Sequence, residues 1–169
     1  MLPPPVPSSL LKKQLGSLQT RAVRAAEAAR NTAYKLHPTE LDDLGLEAAL
    51  RLYCAQFSHQ EGIAVDSHSQ DLPEAFNRET AYCLYKVAQE SLRNIAKHAH
   101  AKRAQVTIES TVDGFRLSVE DSGVGFSVSS LGIATGLGIL GMKERVHLAN
   151  GKFSIESKPE TRISAEVPR

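Results

Sequence analysis

An alternating apolar run, Phe115, Leu117 and Val119, ends in the stretch EDSGVGF, Glu120 to Phe126, and no other feature limits so strongly what this chain can fold into. Alternation at period two reads as a strand with one buried face. That strand delivers one carboxylate, Asp121, to the start of a glycine loop. An ionised carboxylate only accepts hydrogen bonds, so at the back of a pocket it selects a ligand edge that donates, such as the exocyclic amine of adenine. A ligand carbonyl in its place would leave a buried acceptor unpaired, at a cost of about 1–3 kcal/mol. Gly123 and Gly125 lack a Cβ, so the chain can turn with positive φ and a ligand can lie against the backbone. A second glycine cluster, Gly136-Leu137-Gly138-Ile-Leu-Gly141-Met142, runs into an apolar helix-like segment, Met142 to Ala149. Loop N–H groups and a helix N-terminus there make a place for phosphate.

With 169 residues and 41% apolar content, the chain is long enough to bury one core and carry an appendage. A formal net charge of +1 gives no electrostatic footprint for nucleic acid or anionic lipid. Cys54 and Cys83 fall in apolar helical patterns, which predicts buried, reduced thiols in a cytoplasmic setting rather than a disulfide or a zinc site. No apolar run reaches 18 residues and no signal-peptide pattern opens the chain, so no membrane segment is expected. The opening MLPPPVPSS reads as an extended linker or boundary over 1–9.

In chain order, Leu11, Leu15, Leu18, Ala22, Ala25, Ala29, Thr32 and Leu36 recur at alternating spacings of four and three, a heptad seam over 10–37 that calls for a partner helix. Dimerisation and docking on its own domain both satisfy that face. Pro38 ends the pattern. A connector over 38–45 follows, with an acidic pair, Asp42 and Asp43, able to cap the next helix. That helix, Leu46 to Gln60, carries Leu46, Ala49, Leu50, Tyr53 and Phe57 on one face. The remainder predicts a strand at Gly62–Ser67, a helix at Arg78–Ala99 with a buried stripe at Leu84, Ala88, Leu92, Ile95 and Ala99, and a hairpin of Ala104–Thr111 with Phe115–Asp121 turned by Asp113-Gly114. After the glycine loop come a helix at 138–149, a turn at Asn150-Gly151 and strands Lys152–Ser157 and Arg162–Val167. Helices gathered with a largely antiparallel sheet make an α+β two-layer sandwich. Tyr82, Tyr85 and Phe57 are assigned to packing.

On the 78–99 helix, Glu90 and Asn94 are four apart, Lys97 is three beyond Asn94 and His98 four, so their side chains share one sector. A carboxylate and an amide oxygen one turn apart suit Mg²⁺, a hard cation that protein groups share with waters and nucleotide phosphates. Lys97 adds a point charge for those phosphates. His98 reads as a phosphate contact rather than a metal ligand, because the nearest second imidazole, His100, faces elsewhere.

Together these residues resemble a family. Gln89-Glu90-Ser-Leu92-Arg-Asn94-Ile-Ala-Lys97-His98-Ala99 resembles the N box of sensor histidine kinases, EDSGVGF their first glycine box, and the 136–146 segment their second. LHPTELDDLGL is similar to the connector of the subfamily in which a short dimerisation module precedes the ATPase domain. The resemblance covers roughly Asn31 to Pro168 and implies the ATP-binding fold shared with gyrase, the ninety-kilodalton heat-shock chaperone and the mismatch-repair ATPases, here over 46–169 after a long N-terminal helix. By that resemblance Asp121 binds the adenine amine, and Asn94 ligates Mg²⁺ with Glu90 assisting as ligand or water-polarising base. Lys97, His98 and the backbone at Gly136, Leu137 and Gly138 contact phosphates, Gly123, Gly125 and Phe126 line the nucleotide, 126–135 forms the lid, and Thr161 lies near the adenine. It implies ATP and Mg²⁺ as cofactors, a response regulator as partner, and a homodimer through the N-terminal helix.

In two places the chain departs from that pattern. None of the six histidines is followed by an acidic residue as the family's phosphoacceptor is, since His37 precedes Pro, His59 Gln, His68 Ser, His98 and His100 Ala, and His147 Leu. The expectation is a catalytic piece acting on a histidine elsewhere, without autophosphorylation. The glycine-containing turn before the last strand is replaced by Lys158-Pro159-Glu160-Thr161. A serine kinase or ATPase of the same fold, and a non-catalytic nucleotide-binding scaffold, are the competing readings.

Overall fold

A computed structural model describes residues 39–125, 137–157 and 160–169. The heptad seam, the lid segment, Phe126, Gly136, Lys158 and Pro159 lie outside the described residues. Thr39–Arg169 forms a compact unit, and its first element is helix α1, Thr39–Glu61. Gly45 interrupts α1 with φ 77° and ψ 170°. Nothing approaches within 4 Å of where its Cβ would stand, so the backbone angle alone calls for glycine. The connector residues before it are therefore helical, and Leu41, 5% exposed, belongs to the core. Asp42 does not cap the following turn; its carboxylate pairs with Arg78 at 3.1 Å.

Strand β1, Ala64–Gln70, is followed by helix α2, Arg78–Asn94, and a π-helical turn, Ile95–Ala99. Then come β2, Arg103–Ser110, and β3, Gly114–Asp121. Helix α3, Leu137–Leu148, precedes β4, Lys152–Ser157, and β5, Thr161–Pro168. The strands form one sheet in the order β1-β2-β3-β5-β4. β1 runs parallel to β2, with α2 in the crossover, and the other neighbours are antiparallel.

Period-two patterning divides the sheet. Val106, Ile108, Leu117, Val119, Ile163 and Ala165 turn to the helices and are at most 5% exposed. Polar residues take the opposite face. There Arg116 bridges Glu109 at 3.1 Å and Glu166 at 2.8 Å, its direct neighbours on the flanking strands, and Arg162 meets Glu120 at 3.0 Å. Such cross-strand pairs contribute a few tenths of a kcal/mol to about 1 kcal/mol each and keep that face solvated. The result is the two-layer α+β sandwich expected from the pattern.

Helix α2 lies at the centre of the helical layer. Leu84, Val87, Ala88 and Leu92 are fully buried, and the aromatic side chains Tyr82, Tyr85 and Phe57 are 3–5% exposed, which bears out their assignment to packing. Asn77 starts the helix by accepting the Thr80 N–H at 2.8 Å. Helix α3 ends with Asn150 at φ 55°, its N–H on the His147 carbonyl and the Gly151 N–H on that of Val146, which is the Schellman pattern.

Two local expectations need correction. The β2–β3 hairpin does not turn on Asp113-Gly114: the Thr111 N–H bonds the Gly114 carbonyl at 2.8 Å, so Val112 and Asp113 form the tip. Gly114 opens β3 because a Cβ there would overlap the Val167 carbonyl of β5. The helix over 78–99 is also not uniform, since its last five residues widen into the π turn and His100 leaves it at φ 51°.

Candidate functional site

Asp121 is the last residue of β3 and is 6% exposed. One carboxylate oxygen accepts the Gly123 N–H at 2.7 Å, and the hydroxyl of Thr161, its direct partner on β5, bonds the same carboxylate. Burial raises its pKa above the ordinary 3.8; the bonds from Gly123 and Thr161 pull it down, and Glu160 adds to the rise. A carboxylate that burial disfavours, yet two donors hold in place, is preorganised for a further donor. Ser157 Oγ lies 3.3 Å from Thr161 Oγ1, so the strand end that holds Asp121 is itself hydrogen-bonded.

The glycine loop beyond Asp121 is tied to the π turn. Val124 N–H donates to the Ala99 carbonyl at 3.0 Å. A Cβ on Gly123 would overlap both that carbonyl and the Asp121 carboxylate, so this glycine is required by close approach. Positive φ, expected of both glycines, is found at Gly125, φ 65°. The widened turn thus closes the end of α2 onto the loop that follows Asp121. Insertions of this type recur at functional sites because they redirect side chains that a regular helix would place elsewhere.

One turn before Asn94 on α2, Glu90 meets the start of α3. Glu90 Oε1 lies against the α-carbon of Gly138, where a Cβ would overlap it. Arg93 Nη1 approaches Glu90 Oε2 at 3.4 Å. Asn94 Nδ2 is buried and has no hydrogen-bond partner, a state that costs about 1–3 kcal/mol if nothing fills it. The amide calls for a phosphate oxygen or, turned about, offers its oxygen to a cation. Among the described residues no group of three or more His, Cys, Asp or Glu could hold a metal. A cation here would rest on Glu90 and Asn94 together with ligand oxygens and water, as Mg²⁺ does. The residues present fit a nucleotide carrying its metal.

The remaining expected contacts divide. Lys97 and His98 project from the π turn and are exposed, as is Leu137 at the first position of α3. Gly136 and Phe126 lie outside the described residues. Sequence reasoning missed the Ala99 carbonyl, which only the π turn presents, and the pairing of Arg93 with Glu90. The second was detectable from the i,i+3 spacing.

Similarity to known proteins agrees with this fold. Residues 80–169 match the model of the family described as histidine kinase-, DNA gyrase B-, and HSP90-like ATPase. The oxygen sensor histidine kinase NreB of Staphylococcus carnosus (strain TM300) is 37% identical over 147 residues, which are 86% of this chain and 42% of that protein. The chain therefore spans less than half the length of that curated relative. Among solved structures, the blue-light activated histidine kinase of Erythrobacter litoralis EL346 superposes with a TM-score of 0.60 at 21% identity, over 95% of this chain and 60% of that one. The Acinetobacter baumannii histidine kinase AdeS gives 0.59 at 13% identity, over 97% and 86%. At such identities the two structures speak for the fold. Among the described residues no helix is long and apolar enough to cross a membrane.

Proposed function

The chain belongs to the histidine kinase-, DNA gyrase B-, and HSP90-like ATPase family, and from that premise we propose that it is the ATP-binding core of a two-component sensor histidine kinase. The observation that carries this reading is Asp121, a buried carboxylate held by Gly123 and Thr161 with acceptor capacity left for one more donor. The adenine amine supplies that donor, whereas the guanine carbonyl at the same position repels it. The orphaned Asn94 amide and the Gly138 approach to Glu90 support a phosphate end near the last turns of α2.

In this reading Asn94 and Glu90 hold Mg²⁺, whose charge offsets that of the phosphate oxygens. Lys97 and His98, exposed on the π turn, contact the phosphates, as do the backbone groups at Gly136, Leu137 and Gly138. The γ-phosphoryl passes to a histidine ring nitrogen outside this chain's own matched residues: a P–N bond forms, the bond to the β–γ bridging oxygen breaks, and ADP leaves. The imidazole attacks through its unprotonated ring nitrogen, and the proton on its other nitrogen passes to water. Catalysis of this kind is positioning plus charge stabilisation, so the rigid parts of the site matter more than any covalent chemistry. The phosphoryl group then goes to an aspartate of a response regulator. The 10–37 helix supplies the homodimer contact, 38–45 the link to the 46–169 core, and the whole works at the cytoplasmic side.

A thermal-shift titration tests the nucleotide site directly. Wild-type protein should be stabilised by ATP with Mg²⁺ by about 2.7 kcal/mol at a hundred times the dissociation constant, and not by GTP. Asp121→Asn should lose that response at least tenfold in concentration. Equal stabilisation by both bases, or an unchanged response in Asp121→Asn, would remove the assignment.

A further inference from the structure

The last rung on the helix-facing side of the sheet is polar. Asp121 stands opposite Thr161, and Thr161 opposite Ser157, so a single row crosses β3, β5 and β4. Directly opposite residues of antiparallel strands point to the same side, with Cβ atoms about 4.5–5.5 Å apart. Asp121 and Thr161 are each 6% exposed, whereas Ser157 sits at the rim and is partly exposed. Ser157 Oγ lies 3.3 Å from Thr161 Oγ1. At the other end of the row, Asp121 Oδ1 already accepts the Gly123 N–H at 2.7 Å.

Counting protons gives this row a direction. A hydroxyl has one proton to donate, and an ionised carboxylate has none. Thr161 therefore stands between a group that only accepts and a second hydroxyl. Were it to give its proton to Ser157, it would turn lone pairs toward the carboxylate, and two buried acceptors would face each other. When Ser157 donates instead, the Thr161 proton is left for Asp121. Only that order satisfies all three side chains, because Ser157, at the wet end, can take its own donor from water.

We propose that Ser157 is a positioning residue for base recognition: by donating to Thr161 it commits the Thr161 proton to Asp121, which keeps that carboxylate an ionised acceptor for the ligand's amine. The proposal rests on the reading that Asp121 receives the base of a nucleotide. Ser157 itself touches neither base nor phosphate and acts through Thr161. The edge strand β4 thus has a part in the site, although it supplies no contact to the ligand.

The test uses the full chain and reads ATP affinity by calorimetry at pH 7 with Mg²⁺. Ser157→Ala should weaken binding about fivefold, the contribution of one hydrogen bond. Threonine and valine share a shape and differ in one hydroxyl, so they separate the proton from the packing. Ser157→Thr should stay within about twofold of wild type, and Ser157→Val should lose as much as Ser157→Ala. Thr161→Val should weaken ATP on its own, and Ser157→Ala should add nothing to it, as for two members of one chain of bonds. Melting of the nucleotide-free protein should be alike for Ser157→Thr and Ser157→Val. Unchanged affinity in Ser157→Ala overturns the proposal, as do equal losses in the threonine and valine variants, or losses that add when Ser157→Ala is combined with Thr161→Val. Wild-type protein that does not bind ATP, or Asp121→Asn that binds it equally well, overturns the nucleotide reading itself.

Discussion

Burial works against Asp121, and that tension sets what a single substitution does. Its folded pKa lies above 3.8, so the folded state favours the protonated form. The stabilisation tied to that proton is therefore complete below pH 3.8 and is lost as pH rises through the folded value. Nucleotide-free Asp121→Asn should melt above wild type at pH 7, with the gap closing as pH falls toward 3.8; melting scans across pH check this. A variant that melts lower at neutral pH would show that the bonds from Gly123 and Thr161 outweigh desolvation. The two thiols behave in the same direction. Burial pushes Cys54 and Cys83 from 9.0 up to about 11, so both stay protonated at neutral pH. Neither should react with a thiol reagent at pH 8 in the native protein, and both should react in denaturant. Stability tied to the neutral thiols is then lost as pH climbs through about 11.

Among the elements, glycines divide by what stands in the way of a side chain. At Gly114 and Gly151 a Cβ would overlap backbone carbonyls, of Val167 and Glu166, which cannot move without parting β3 or β4 from β5. Gly151→Ala should cost about 1–3 kcal/mol by chemical denaturation. At Gly138 the obstruction is a flexible carboxylate, Glu90, so the fold yields cheaply and the site does not. Gly138→Ala should melt near wild type yet weaken Mg²⁺-ATP binding, about tenfold if the displaced carboxylate costs roughly 1.4 kcal/mol. Equal effects on melting and binding would mean that Gly138 matters only for packing. The caps carry ordinary energies: Asn77→Ala removes the acceptor for the Thr80 N–H and should cost about 1 kcal/mol.

Within Thr39–Arg169, α2 is the central helix. Its inner face meets the sheet, its flanks meet α1 and α3, and its last turn carries the site. Leu92, fully buried two residues before Asn94, should cost about 2–5 kcal/mol when cut to Ala, measured by urea unfolding. Most of this architecture could be read from the chain. Period-two runs placed β2 to β5 within a residue or two, because alternation records which face meets water. The stripe at Leu84, Ala88 and Leu92 identified the central helix for the same reason. Asp121, at the end of an apolar strand and before two glycines, stood out from chemistry alone. The hairpin tip was misplaced because Asp-Gly is a turn signal only where strand pairing permits it, and the approach of β5 demanded glycine one position later. Local composition thus determined the elements, the buried thiols and the acidic group at the loop, since these depend on dihedral preference and on which side faces solvent. Tertiary structure alone decided that Thr161 stands opposite Asp121, that Gly138 meets Glu90, that Tyr53 packs edge-on to Tyr85, and that α2 ends in a π turn. Each of those joins groups far apart in sequence, or a backbone shape forced by such a join, and the distance between them is set by the packing of the entire core.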